Sequence, residues 1–377
     1  MVTRSSVLDR YSDGAKEVQE SLCCPVDYDK GLLKLLPDEI IEKDYGCGDP
    51  SRYVEKGDTV LDLGSGGGKI CYMAAQLVGD EGKVIGIDMN DDMLALARKY
   101  EDDMANKLGS NRVAFKKGYI QDLALDLVAM EQYLVDNPIR TASDYSRLQD
   151  WKANQRHQAP MIADNSVDLV ISNCVLNLVH DDEKKQLVEE IFRVLKPGGR
   201  VAISDIVSDE DVSDHLKKDP ELWSGCISGA FHEKGFIDAF KEAGFLAIAY
   251  DKWEATPWQT VEDIEFRSAT LVAVKGEQTP CLDLGHAVIY KGPYESVSDD
   301  EGHIFPRGER MAVCERTYKL LTSGPYAENF IGIAPAGPRE AKNWCAPAGT
   351  KRPAKETKGG VHQEHHRANV NTGSSCC

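Results

Sequence analysis

Val60-Leu-Asp-Leu63 runs straight into Gly64-Ser-Gly-Gly-Gly68, and an apolar stretch over residues 70–78 follows at once. A buried strand, a glycine turn and a buried helix in that order open a parallel α/β sheet. A parallel strand is covered on both faces, and the chain needs a helical crossover to reach the next one. The alternation then continues. Strand-like runs at 84–87, 113–117, 167–172 and 200–206 are separated by helical patterns at 91–108 and 184–195, and a helix at 231–243 precedes strands at 246–250 and 268–275. Lys196-Pro-Gly-Gly199 cannot extend a helix and predicts a turn back into the sheet. The expected fold is a doubly wound α/β sheet spanning residues 56–276.

Three other segments flank or interrupt that pattern. Residues 1–55 read as a cysteine-bearing helical lead-in, and residues 125–163 as a polar, partly helical insertion carrying Pro138 and Pro160. A shift to Gly, Pro and charge at 276–280 predicts a boundary, with a small α+β unit at 281–335. Beyond Pro335 the chain is poor in large apolar residues, so a flexible tail is expected over 336–377.

The chain has 377 residues, enough for two or three domains. No apolar run reaches the length of a bilayer span, and the first twenty residues lack a signal-peptide pattern, so a cytoplasmic protein is expected. A net charge of −18 argues against nucleic acid or anionic membrane as a partner. Eleven cysteines in a reducing compartment favour thiol chemistry or soft-ion binding over a static disulfide framework. No Cys-x-x-Cys pair occurs, which weighs against structural zinc.

The glycine loop narrows the ligand. Counting from Gly64, the third position of a dinucleotide fingerprint is Lys69 rather than glycine, and Gly68-Lys69-Ile70 lacks the hydroxyl of a phosphate-binding Walker loop. A ligand with an amino-acid tail instead of a pyrophosphate fits better. Asp88 closes the second strand in Gly86-Ile-Asp-Met89, where a carboxylate accepts ribose hydroxyls, and Met89 offers a soft surface to adenine. With Gly118-Tyr-Ile120 after the third strand, these features point to S-adenosylmethionine. Cys174 sits where the strand 167–172 gives way to its loop, the substrate position of such a sheet, and a thiol there suits a thiophilic acceptor.

Tyr45-Gly-Cys-Gly48, the loop Leu61–Lys69, Gly86-Ile-Asp-Met89, Gly118-Tyr-Ile120, Ser172-Asn-Cys-Val-Leu-Asn-Leu178 and Trp223-Ser-Gly-Cys-Ile-Ser-Gly-Ala230 together resemble the arsenite S-adenosylmethionine methyltransferases, from about residue 23 to 335. The resemblance implies a class I, Rossmann-like methyltransferase in which Cys174 and Cys226 bind trivalent arsenic. Cys47 is their third ligand or redox partner, and Cys24, or its neighbour Cys23, completes the disulfide chemistry. Donor contacts are expected from Tyr45, Asp62, Gly64, Ser65, Gly66, Asp88, Met89, Ile120 and Asn173, with Tyr45 placing its ring on the sulfonium or the adenine.

The implied chemistry needs no general base, because the arsenic lone pair carries no proton. Three thiolates hold the arsenic and aim that lone pair at the sulfonium methyl. Transfer formally oxidises arsenic, and a dithiol closing to a disulfide returns the two electrons, later restored by thioredoxin or glutathione. Cys47 with Cys24 is the expected pair, Cys71 reads as a small buried hydrophobe, and Cys376-Cys377 as a candidate capture site for arsenic. A monomer is expected. The competing readings are a carbon, nitrogen or oxygen methyltransferase, which would need a base near its acceptor, and a non-enzymatic thiol protein that binds metalloids.

Overall fold

The computed structural model describes residues 3–19, 26–344, 346–347 and 349–357. Cys23, Cys24, Cys376 and Cys377 lie outside the described residues. The chain divides into two units, Met1–Gly276 and Glu277–Cys377.

The expected doubly wound sheet forms the first unit. Its strands are β1 (Thr59–Leu63), β2 (Lys83–Asp88), β3 (Val113–Lys117), β4 (Val167–Asn173), β5 (Leu195–Ser208), β6 (Phe231–His232), β7 (Phe245–Trp253), β8 (Gln259–Val261) and β9 (Ile264–Lys275). The order is β3-β2-β1-β4-β5-β9-β7, with β6 pairing β5 and β8 pairing β9. The strands from β3 to β5 run parallel, while β9 is antiparallel to both neighbours. The chain reverses its winding between β1 and β4, so the ligand crevice of such a sheet opens above their carboxyl ends.

Alternate side chains of each strand feed two cores, one per face. Leu61, Leu63, Ile87, Val170 and Ile203 pack on one side. Val60, Val84, Leu169, Ile171 and Ala202 pack on the other, against the helix Lys69–Leu77 that follows the glycine loop.

Several local expectations change. Lys196-Pro-Gly-Gly199 belongs to β5 instead of turning ahead of it. Pairing with β4 jumps from Val167↔Leu195 to Leu169↔Arg200, so the four residues form a bulge with Gly198 at φ 80°. The helix expected at 91–108 is two, Asp91–Lys99 and Glu101–Leu108, because Tyr100 leaves helical geometry at φ −109°, ψ 5°. The insertion contains the helices Leu127–Asp136 and Ala142–Gln158.

The lead-in residues belong to the first unit rather than standing apart from it. The helix Thr3–Lys16 is held by Arg10, which donates to Glu221 O and Ser224 Oγ, and by Asn90 Nδ2, which donates to Leu8 O and Ser12 Oγ.

In the second unit, Ala287–Tyr290 pairs with Arg310–Ala312 and with Phe330–Ile333, and the helix Glu315–Thr322 packs on this sheet. The flexible tail expected from residue 336 needs correction over its described part. Lys342–Asn343 pairs with Leu282–Asp283, Arg352 forms a 2.6 Å ion pair with Asp283, and its N–H donates to Arg310 O. Backbone pairing and a nearly buried charge hold this stretch, so its scarcity of apolar residues misled the composition argument.

Phe240 is fully buried between the rings of Phe236 and Phe245, at centroid distances of 5.6 and 5.2 Å. Phe240→Ala is expected to lower unfolding stability by about 3–5 kcal/mol, measured by urea denaturation of the full chain.

Candidate functional site

The glycine loop is pinned to the second strand by its own backbone. Gly64 and Ser65 both donate their N–H to Ile87 O, and Gly66 N–H donates to Asp88 Oδ2. Gly64 lies at φ 71°, and a Cβ there would come within 2.4 Å of Val175 Cγ1. Gly66, at φ 49°, would meet nothing within 4 Å, because it faces an open cleft.

That cleft encloses about 1110 Å³ including its mouth. Of the donor contacts named from the sequence, Tyr45, Asp62, Gly64, Ser65, Gly66, Asp88, Met89, Ile120 and Asn173 all line it. Ser65 Oγ is buried there with no hydrogen-bond partner among the described residues, and the open face of Gly66 leaves a cradle beside it. A nucleoside carrying a polar tail fits these features. Asp88 accepts from Gly66 and from Asn90 through separate oxygens, so each oxygen keeps a lone pair for a ligand hydroxyl, and burial raises its pKa. Asp62 accepts from the Cys71 thiol at 3.2 Å, and burial lifts it to about 7. Cys71 is thus buried, as expected, but also partnered.

At one end of the cleft the sulfurs gather. Cys47 and Cys174 are joined in a disulfide with a Cα–Cα distance of 5.8 Å, and Cys226 donates its thiol to Cys174 O at 3.2 Å. Both Cys174 (φ 58°) and Cys226 (φ 62°) adopt left-handed backbone, a conformation that costs a non-glycine residue and recurs where chemistry fixes a side chain. Cys24, the redox partner expected for Cys47, lies outside the described residues, and the structure joins Cys47 to Cys174.

Asn173 explains the partnership. Its Oδ1 accepts from Cys47 N–H and Gly48 N–H at 2.9 and 3.0 Å, and its Nδ2 donates to Gly48 O at 2.8 Å. The carboxamide is therefore spent on the Cys47 loop, not held open toward the donor. Tyr45 likewise uses its hydroxyl on Gly14 O, and its ring meets Tyr11 edge-on at 6.1 Å.

Two residues beside the sulfurs escaped the sequence reading. Asp205 is fully buried at the carboxyl half of β5, with a carboxylate oxygen within 4.8 Å of both Cys47 Sγ and Cys174 Sγ. It accepts from the N–H groups of Leu176, Asn177 and Ile206, and burial raises it to about 7. An acid ending the apolar run Val201-Ala-Ile-Ser-Asp205 was the available signal, the same one that revealed Asp88. Tyr11, from the N-terminal helix, places its hydroxyl 4.0 Å from Cys226 Sγ. A smaller cavity of about 220 Å³ is lined by Tyr11, Tyr45, Cys174, Ile206, Gly225, Cys226 and Trp258. Tyr11, Tyr45 and Cys174 line both spaces, so a sulfur chamber and a nucleoside cleft share one wall.

The chain is similar to known methyltransferases. The family profile described as "Methyltransferase domain" matches residues 54–143 and 145–258, and the "Domain of unknown function (DUF8838)" profile matches residues 277–362. An arsenite methyltransferase of Aquipseudomonas alcaligenes is 31% identical over 332 residues, covering 84% of this chain and 86% of the relative. The Homo sapiens arsenite methyltransferase is 29% identical over 81% of this chain and 74% of its own length. The crystal structure of an arsenic(III) S-adenosylmethionine methyltransferase from Chlamydomonas reinhardtii superposes with a TM-score of 0.56 at 28% identity, covering 85% of this chain and 99% of that one. With its glycine-lined cleft opening onto clustered cysteines, and with a relative of this identity matched over most of both lengths, the chain belongs to the arsenite methyltransferase family.

Proposed function

We propose that this protein transfers a methyl group from S-adenosylmethionine to trivalent arsenic held by Cys47, Cys174 and Cys226. The observation that carries the reading is the gathering of Cys47 and Cys226 on Cys174, the cysteine that lines both the donor cleft and the smaller chamber. Clustered cysteine sulfurs match a soft element, and the carboxyl beside them, Asp205, is occupied by the N–H groups of Leu176, Asn177 and Ile206.

Asp88, Gly66 and the loop around Ile120 would hold the nucleoside of the donor, and Ser65 and Asp62 stand beside its tail. S-adenosylmethionine supplies an electrophilic methyl group on a sulfonium. Reduced Cys47, Cys174 and Cys226 each form a bond to arsenic as one hydroxyl or thiolate already on it leaves with the cysteine proton, as water or thiol, and the arsenic lone pair then lies opposite the three sulfurs. Attack of that pair makes the As–C bond as the S–CH₃ bond breaks, and arsenic becomes formally pentavalent. The two electrons that restore it come from two of the thiolates, which leave arsenic as a disulfide. Bonded Cys47 and Cys174 supply the natural pair, since the same two sulfurs already reach each other. Thioredoxin or glutathione then reduces that bond, a cycle suited to the cytosol and to a monomer. Among the described residues no helix is long and apolar enough to cross a membrane.

Loss of an outer-sphere partner of a bound ion costs 10–100-fold, so loss of a ligand itself is expected to cost about 100-fold or more. Cys174→Ser should therefore abolish mono- and dimethylated arsenic in an assay with arsenite, donor and a thiol, read by mass. The variant should still bind S-adenosylhomocysteine. Retained methylation in Cys174→Ser would favour an oxygen, nitrogen or carbon acceptor.

The disulfide state gives a second expectation. Protein with Cys47 bonded to Cys174 should bind one equivalent of arsenite fewer than the same protein after treatment with a dithiol reductant, counted by native mass spectrometry. Equal binding by the oxidised and reduced forms would remove Cys47 and Cys174 from the ligand set.

A further inference from the structure

Beside the glycine loop, the donor cleft ends in a small charged network that the sequence did not suggest. Asp44 lines the cleft, and its Oδ2 receives two donors at 3.0 Å, the Tyr28 hydroxyl and the Lys69 ammonium. Lys69 is nearly buried and sits 3.5 Å from the centre of the Tyr28 ring, so the cation is held from two sides. Asn173 Nδ2 reaches the Tyr28 hydroxyl at 3.3 Å, which links the network to the residue that fixes the Cys47 loop. Gly46 must be glycine for this contact, because a Cβ there would lie 2.0 Å from Asn173 Nδ2 and 2.8 Å from the Tyr28 hydroxyl.

All of these bonds converge on one oxygen of Asp44. Among the described residues no donor reaches its Oδ1, on a side chain that borders the cleft. The other carboxyls of the cleft are differently engaged. Asp62 accepts from Cys71 and is fully buried, and Asp88 accepts two backbone N–H groups on the nucleoside side. Lys69 directly follows the glycine loop, so its 3.0 Å bond to Asp44 sets that carboxyl at the loop's end of the cleft, which Asp62 and Gly64 also line.

We propose that Asp44 receives the α-ammonium group of the donor's amino-acid tail. The inference rests on the reading of the cleft as an S-adenosylmethionine site and names a tail-binding residue for it. Lys69 and Tyr28 hold the carboxylate in place through Oδ2, and Oδ1 accepts a charge-assisted hydrogen bond from the ligand. Through Tyr28 and Asn173 the same chain of hydrogen bonds ends on Cys47 N–H, so the tail of the donor and the acceptor loop are positioned by one framework.

The test compares two ligands that share the adenosine and thioether and differ in the tail. S-adenosylhomocysteine carries the α-ammonium, whereas 5′-methylthioadenosine has neither ammonium nor carboxylate. Titration calorimetry on the full reduced chain is expected to show roughly tenfold or greater loss of S-adenosylhomocysteine affinity in Asp44→Asn, with 5′-methylthioadenosine affinity unchanged. Binding of the second ligand doubles as proof that the variant folds. Tyr28→Phe, which unpins the carboxylate without discharging it, should show the same tail-selective loss in smaller measure. Equal S-adenosylhomocysteine affinity in Asp44→Asn and the parent, or an equal loss for both ligands, overturns the assignment. A parent protein that binds neither ligand overturns instead the donor-site reading beneath it.

Discussion

The side-chain amide of Asn173 is the contact on which the acceptor side depends. It ends a strand of the central sheet and binds the backbone of Cys47 and Gly48, more than a hundred residues away in sequence, with a further bond to the Tyr28 hydroxyl. The Cys47 loop is thereby registered on the rigid core, into which Leu36 and Ile40 of the preceding segment also pack. Gly48 is shaped for the same docking, since a Cβ there would lie 2.4 Å from Ser204 Oγ. The Gly-Cys-Gly sequence is thus a steric requirement on both sides of the cysteine. A thiol carried this way is placed as firmly as one on the sheet itself, which matters when donor and acceptor must approach in line.

The other two sulfurs are positioned by backbone strain rather than by an amide. Cys174 and Cys226 each occupy the left-handed region, and the Cys226 thiol bonds the carbonyl of Cys174. Such conformations persist only where the surroundings over-determine them. Asp205 does part of that work, gathering the N–H groups of Leu176 and Asn177 that follow Cys174 while standing within reach of two sulfurs. Buried carboxyl and strained thiols therefore belong to one constraint.

Legibility in the sequence followed the physics of each feature. The sheet was readable because two-faced burial leaves continuous apolar runs, and the glycine loop because Gly64 combines a positive φ with no room for a Cβ and Gly66 a positive φ that glycine adopts without strain. Asp88 was readable as an acid at a strand end. The helix break at Tyr100 and the bulge at residues 196–199 were not, since backbone dihedrals and register decide them. Cys174 and Cys226 were singled out by type and by resemblance, but the Cys47–Cys174 bond and the turn of the Asn173 amide away from the donor depend on where side chains point. Tyr11, Tyr28 and Asp44 lie in polar helical or loop sequence with no pattern to mark them. The stretch from 342 to 357 was misread because charge and backbone pairing, invisible to composition, hold it.

The shared wall of the two cavities sets the logic of the site. Tyr11 and Tyr45 are aromatic, face both spaces and spend their polar atoms on protein, Tyr45 on Gly14 O and Tyr11 beside Cys226. Burial holds the Tyr11 hydroxyl protonated by raising its pKa well above the ordinary value. A wall of neutral rings adds no competing nucleophile between a sulfonium and a lone pair, and it keeps water from the path. Cys174, the third member of that wall, is the cysteine that lines both compartments, so an atom bound to its sulfur stands where the donor cleft and the sulfur chamber meet.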